Sequence, residues 1–95
     1  MPAIVISRIF VTDAERYEAY KPLAKAAIEK YGGRYLVRGA DPIILEGKPD
    51  GARHVVVEFD SIDTVRRFYD SPEYHVARAA RAGAADVVIT TLQSV

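Results

Sequence analysis

The feature that most constrains this sequence is the order in which two hydrophobic patterns follow one another along the chain. Short β-branched segments, in which alternate residues are apolar, predict strands. Longer segments with apolar residues every three or four positions predict amphipathic helices. The strand segments are 3–11, 34–39, 53–59 and 86–92, with helical segments between the first two and between the last two. The order is therefore βαββαβ, with one extra short helix before the last strand.

This order predicts an α+β fold of the ferredoxin-like type. Two middle strands joined as a hairpin, with two crossover helices, place the helices on one face of an antiparallel sheet. A chain of 95 residues has room for a single hydrophobic core, so residues 1–95 are expected to form one domain.

The first helix has recognisable start and stop signals. Thr12 begins a capping box in which Glu15 reaches back, so Thr12 is the expected N-cap. Pro22 lacks an N–H and predicts a kink or break near 20–22. Gly32-Gly33 supplies a stop with positive φ. The inward-facing stripe comprises Tyr17, Tyr20, Ala24, Ala27, Ile28 and Tyr31.

The second helical region contains two start signals. Asp60 or Ser61 caps the first helix, and Ser71-Pro72-Glu73 begins a second, with serine as N-cap and proline as first helical residue. This second helix is expected to run to about Ala82 and to stop at Gly83. Between the second and third strands, 40–52 is rich in turn residues around Ile43-Ile44-Leu45, which is a candidate short edge strand.

Strand alternation divides the sheet into two unequal faces. The set that includes Val5, Ile9 and Val57 is small or wholly apolar and suits the face under the helices. The other face has no helix to cover it and mixes polar side chains with apolar ones. Its polar members are Arg8, His54, Glu58 and, on the second strand, Arg38; its apolar members are Ile4, Ile6, Phe10, Val56 and Leu36.

An uncovered apolar sheet face predicts association of two chains. A patch of this size on a small monomer is an interface or a liability, and two-fold symmetry is the commonest arrangement. We therefore expect a homodimer through the open sheet face, enclosing a partly polar cavity that binds a small-molecule ligand.

The composition excludes several classes of function. The chain has equal numbers of basic and acidic residues and no cysteine, which argues against nucleic-acid and membrane surfaces and against cysteine chemistry. Strands in RNA-recognition modules carry stacking aromatics where this chain has Val5, His54 and Val56. The two histidines lack metal-ligand spacing. We expect no metal, no cofactor and, since the N-terminus does not resemble a signal peptide, a cytoplasmic location.

Four segments resemble the domain-of-unknown-function 1330 family. They are Tyr35-Leu36-Val37-Arg38-Gly39, Leu45-Glu46-Gly47, the strand from Arg53 to Phe59, and Ser71-Pro72-Glu73-Tyr74. They follow one another in order and with similar spacing over essentially the whole chain. The family often has Gly-Gly after the arginine, whereas this chain has Gly39-Ala40, which affects only the local turn.

The resemblance implies a ferredoxin-like fold in the dimeric α+β barrel superfamily. That superfamily includes antibiotic-biosynthesis monooxygenases, muconolactone isomerases and haem-degrading enzymes. The family itself has no settled activity, so it provides no catalytic residue to transfer to this chain, and function by fold analogy is an association only.

The candidate catalytic residues are His54 and Glu58. His54 is a candidate proton shuttle because its reference pKa lies near neutrality, or else a partly exposed histidine at a strand end. Glu58 is a candidate acid–base group beside Arg8 on the neighbouring strand, or else one half of a structural ion pair with it. His75 either rims the cavity or faces solvent.

The candidate substrate-binding residues are Arg8, Arg38 and Tyr74. Arg38 either clamps a carboxylate or pairs with Glu46. Tyr74, like Tyr69, either donates a hydrogen bond to the ligand or packs in the core. The sequence thus predicts a protein that binds a small anionic or polar-aromatic molecule in a dimer cavity. The residues leave open whether it is an enzyme: the resemblance implies a cofactor-independent enzyme of the monooxygenase or isomerase type, and the alternative is a non-catalytic ligand-sensing or protein-interaction dimer.

Overall fold

A four-stranded antiparallel sheet carries three helices on one face, which confirms the predicted α+β, ferredoxin-like fold. The computed structural model describes residues 1–95. The elements are β1 (Ala3–Val11), α1 (Ala14–Lys30), β2 (Arg34–Ala40), β3 (Arg53–Phe59), α2 (Ile62–Tyr69), α3 (Pro72–Ala80) and β4 (Ala85–Gln93). The strand order in the sheet is β2-β3-β1-β4. The three helices include no candidate for a membrane-spanning segment.

The two faces predicted for β1 and β3 are confirmed. On the helix side Val5, Val57 and Phe59 are buried and join one core cluster with residues of all three helices. Ile6 and Val56 are register partners on the opposite side and remain only partly buried. We call this uncovered side the open face.

The alternation fails in β2, where the pairing with β3 shifts twice. Tyr35 pairs with Val57, but the next regular pairs are Val37 with Val56 and Arg38 with Val55. Each irregularity inserts a residue, so the following side chains change face. The prediction that Arg38 joins the open face is therefore wrong, because Arg38 lies on the helix side. Leu36 lies at the first shift and stays 48% exposed.

Helix α1 differs from prediction at two points. Its N-cap is Asp13, not Thr12: the Asp13 Oδ1 accepts a hydrogen bond from the Arg16 N–H at 3.1 Å. The predicted break near Pro22 is also wrong, because the helix is continuous through that residue. Buried side chains lie on both sides of it, at Tyr17 and Ala24, and such packing outweighs one missing backbone hydrogen bond.

The two glycines after α1 have different roles. Gly32 has the positive φ expected of a helix stop, at 78°. Gly33 does not. A Cβ at Gly33 would lie 2.7 Å from the Phe59 ring and 2.8 Å from Ile28. Gly33 therefore allows the chain to pass closely over the core.

Serine caps fix the starts of α2 and α3. Ser61, one of the two residues proposed as cap, accepts a hydrogen bond from the Thr64 N–H at 3.1 Å. Ser71 accepts from the Tyr74 N–H at 3.1 Å and donates to the Phe68 carbonyl at 2.6 Å. Because Ser71 is itself buried, this cap fixes the first turn of α3 against the core.

The segment 41–52 contains no strand, so the candidate edge strand there is wrong. Ile43 and Leu45 are 88% and 94% exposed. The two ends of the segment are held together, because the Arg53 Nη2 donates to the Gly39 carbonyl at 3.1 Å. Backbone groups in the rest of the segment find no neighbouring strand to pair with, since β2 and β3 pair directly with each other.

Candidate functional site

A partly enclosed cavity lies within the chain, between the helix side of the sheet and the helices. Its volume of about 300 Å³ is within the range of small-molecule sites. Val5, Ile9 and Val57 form part of its floor. Seven aromatic side chains line it: Tyr17, Tyr20, Tyr35, Phe59, Phe68, Tyr69 and Tyr74. Such a wall favours a flat apolar ligand.

The only charged side chains that line this cavity are cations. They are Lys21, Arg38 and Arg53, and no aspartate, glutamate or histidine lines it. Arg38 lies over the Tyr35 ring, 4.8 Å from its centre, and has no ion-pair partner. Both arginines are exposed and therefore mark the open end of the cavity. Since the whole chain has no net charge, this concentration of cations favours an anionic ligand.

Two tyrosines from distant parts of the chain meet at the cavity wall. The Tyr20 and Tyr74 hydroxyl oxygens are 2.7 Å apart, and their rings are nearly perpendicular, at 69°. The Arg81 guanidinium lies 5.3 Å from the centre of the Tyr20 ring. Arg81 does not line this cavity but a shallow depression beside it, which also includes Arg78.

Burial raises the pKa of three tyrosines at this site. For Tyr20 the shift is large, because burial acts together with the adjacent Tyr74 hydroxyl. Burial also raises the pKa values of Tyr17 and Tyr35, against the opposing charges of Arg81 and Arg38 respectively. These side chains are therefore neutral phenols near pH 7, suited to hydrogen bonding and unsuited to accepting a proton as a base.

The raised pKa of Tyr20 predicts a loss of stability at alkaline pH. Its folded pKa lies above the unfolded value of about 10, so the folded state holds its proton more tightly. The stability is fully present below pH 10 and falls as the pH rises further. We expect the urea midpoint to fall between about pH 10 and 11.5, because only the unfolded chain releases the Tyr20 proton in this range. Tyr20→Phe should reduce this slope, and an unchanged slope would contradict the assignment.

The structure does not bring the five predicted site residues together. Arg38 and Tyr74 line the cavity on the helix side. Arg8, His54 and Glu58 lie on the open face, on the other side of the sheet. The predicted cavity between two sheets is thus a different place from the cavity that the protomer contains.

The expected pairing of Arg8 with Glu58 is wrong. The register places Arg8 opposite His54 and Glu58 opposite Ile4, so the two charges lie four residues apart along the sheet. Arg8 instead forms an ion pair with Asp50. Glu58 accepts a hydrogen bond from the Arg34 Nε at 2.9 Å and forms an ion pair with the Arg34 Nη2 at 2.6 Å.

The remaining polar candidates have separate positions. The His54 Nδ1 is buried and has no hydrogen-bond partner. His75 is exposed and lines the shallow depression beside α3. Arg38 forms no ion pair with Glu46 and lies instead over the Tyr35 ring, while Glu46 is exposed in the segment 41–52. No group of three or more histidine, cysteine or acidic side chains is placed to hold a metal ion.

Sequence analysis missed several lining residues. Tyr17 and Tyr20 were recognised as an inward-facing stripe of α1, but their positions indicated only core packing. Lys21 and Arg53 had no signal, because an isolated basic residue in a helix or at the start of a strand is typical of a solvated surface. For Tyr17 and Tyr20, the one available indication of a cavity was that several tyrosines share the inner face of α1.

Comparisons with known proteins agree with the fold. A family model described as Domain of unknown function (DUF1330) matches residues 2–95. A protein of unknown function from Rhodopseudomonas palustris has a TM-score of 0.77 at 21% identity. The match covers 99% of this chain and 82% of the Rhodopseudomonas chain. SnoaB, a cofactor-independent oxygenase from Streptomyces nogalater, has a TM-score of 0.70 at 15% identity, with coverages of 99% and 93%.

A third solved structure is a dimeric ferredoxin-like protein of unknown function from Jannaschia sp. CCS1. Its TM-score is 0.74 at 7% identity, with coverages of 99% of this chain and 100% of that chain. At these identities the solved structures establish a shared fold and nothing finer. No curated protein matches this sequence.

Proposed function

Because this chain belongs to the DUF1330 family, whose description assigns no function, we propose a function from the geometry of the chain itself. Each protomer binds a small anionic aromatic molecule in the cavity between the sheet and the helices. Two protomers associate through the open face. This places the ligand inside the protomer and assigns Arg8, His54 and Glu58 to the association surface.

The observation that carries the proposal is the composition of the cavity wall. Seven aromatic side chains enclose it, and the only charged side chains in its lining are three cations. Lys21 is paired with Glu18, which does not line the cavity, whereas Arg38 has no acidic partner. Aromatic walls select flat ligands by stacking and edge contacts, and arginine binds carboxylates with favourable geometry. Arg38 and Tyr74, predicted from sequence as ligand contacts, keep that role in the proposal.

Ligand binding is better supported than catalysis. SnoaB has the same fold and is a cofactor-independent oxygenase, so turnover without a cofactor is the enzymatic form of this proposal. Proton abstraction needs a base, however, and this wall offers phenols that burial keeps protonated. A ligand-sensing role requires only the binding that the wall supports. Recovery of a chemically altered ligand after incubation would show that the protein is an enzyme and not a ligand sensor.

The open face supports the homodimer. Ile4, Ile6, Phe10 and Val56 are only partly buried there, and Val88 and Leu92 on β4 are 52% and 59% exposed. A second sheet packed on this face would bury them together, and a two-fold axis makes one surface complementary to itself. The ferredoxin-like protein from Jannaschia sp. CCS1 is dimeric.

The first test removes the unpaired cation at the open end of the cavity. We expect Arg38→Gln to weaken binding of 2-naphthoate about tenfold, because a charge-assisted hydrogen bond to the carboxylate is lost. Binding is measured by isothermal titration calorimetry. The uncharged analogue 2-naphthylmethanol should be affected much less by the same substitution.

The matched control is Arg66→Gln on α2, an exposed arginine that does not line the cavity. This control should bind 2-naphthoate like the unchanged protein. Equal losses in both arginine variants would show a general charge effect and contradict the assignment. Failure of 2-naphthoate to bind the unchanged protein would contradict the proposed function.

A further inference from the structure

The two tyrosine hydroxyls at the cavity wall carry more O–H donors than there are acceptors within reach to receive them. Tyr20 and Tyr74 each have one O–H, and the single bond between them at 2.7 Å occupies only one of the two protons. The other group that reaches both hydroxyls is the Arg81 guanidinium, which can only donate to their oxygens. One O–H is therefore left over beside a mostly apolar space, where an unsatisfied donor is costly.

The neighbouring charged group adds further donors and no acceptor. Arg81 lies behind the pair, with its guanidinium 5.3 Å from the Tyr20 ring centre, and its Nε is buried without a partner. Its charge acts on both Tyr17 and Tyr20, opposing the larger effect of burial on their pKa values. A guanidinium in this place makes the tyrosine O–H groups better donors.

We propose that Tyr20 and Tyr74 form a subsite for an oxygen acceptor, namely a phenol, phenolate or carbonyl oxygen of the ligand. Arg81 is a positioning residue that acts through the tyrosines. With cations at the open end, the ligand class becomes an aromatic acid with a second, oxygen-bearing substituent on its ring. This inference rests on the proposed function, because it concerns the same cavity.

The test compares two ligands that differ by one hydroxyl. We expect 6-hydroxy-2-naphthoate to bind the unchanged protein about fivefold more tightly than 2-naphthoate, because a fivefold gain in affinity corresponds to the net contribution of one hydrogen bond. The double variant Tyr20→Phe/Tyr74→Phe keeps both rings and removes both hydroxyls, so this ratio should fall to about one. Arg81→Met should lower the ratio to an intermediate value. Both affinities are measured by isothermal titration calorimetry.

The matched control is Tyr31→Phe, which removes a tyrosine hydroxyl outside the cavity. That hydroxyl donates to the Glu73 carboxylate at 3.3 Å, and its loss should leave the fivefold ratio intact. If circular dichroism shows that the double variant does not fold, the two single variants are measured, and at least one must lose the ratio.

The outcomes separate this inference from the function on which it rests. Equal binding of the two naphthoates to the unchanged protein, or a ratio that survives removal of both hydroxyls, would overturn the subsite and leave the proposed function standing. Failure of 2-naphthoate itself to bind would instead overturn the proposed function.

Discussion

Val56→Asp is expected to convert the proposed homodimer to a monomer. Val56 lies in the middle of β3 on the open face, between its register partners Ile6 and Val37. In a dimer of facing sheets the new carboxylate would be buried without a partner in each protomer. An uncompensated buried charge costs about 3–5 kcal/mol, which raises the dimer Kd roughly a hundredfold to several thousandfold.

The measurement is the molar mass in solution at micromolar concentration, by sedimentation equilibrium. The control is Val76→Asp, the same substitution at a residue of α3 that is 59% exposed and lies off the sheet. That variant should remain a dimer, and circular dichroism should show both variants folded. A Val56→Asp protein that is still dimeric would place the interface elsewhere, and a monomeric unchanged protein would remove the dimer from the proposal.

Phe59→Ala is expected to cause the largest loss of folding stability of any single truncation in the core. Phe59 is the largest fully buried side chain, at 1% exposure, and its ring centre is 4.9 Å from that of Phe68. Its ring also fills the space directly beneath Gly33. Removing a buried phenylalanine ring costs about 3–5 kcal/mol, a large part of the 5–15 kcal/mol that stabilises a typical domain.

Urea unfolding followed by circular dichroism measures this loss. All proteins are compared at one protein concentration, because the proposed association of protomers would add to the apparent stability. Leu45→Ala is the control, since its side chain is 94% exposed and its truncation should change the free energy of unfolding by less than about 0.5 kcal/mol. A loss below about 1 kcal/mol in Phe59→Ala would show that the core around this ring can close over the gap.

Local signals predicted the architecture well because each acts over a few residues. Ser61 and Ser71 cap their helices through backbone N–H groups three positions away, which a short stretch of sequence specifies. Alternation along β1 and β3 correctly separated the helix side from the open face. The N-cap of α1 was misplaced by one residue, because Thr12 and Asp13 are both good caps and only the structure selects between them.

The candidate site was predicted less well because its residues are brought together by pairing between distant segments. Arg38 changed face through the shifts in the β2–β3 pairing, and alternation counted along one strand cannot detect a residue inserted against its neighbour. Arg8 and Glu58 were separated for a related reason, since register decides which residues face each other across two strands.

By itself, the sequence determined the element order, the starts of α2 and α3 and the presence of an uncovered apolar sheet face. The tertiary structure alone decided where the cavity lies and which groups enter it. Tyr20 and Tyr74 are 54 positions apart, and they meet only because α1 and α3 pack side by side on the sheet. Propensity and periodicity act within one element, whereas a site depends on the relative placement of several elements that packing fixes together.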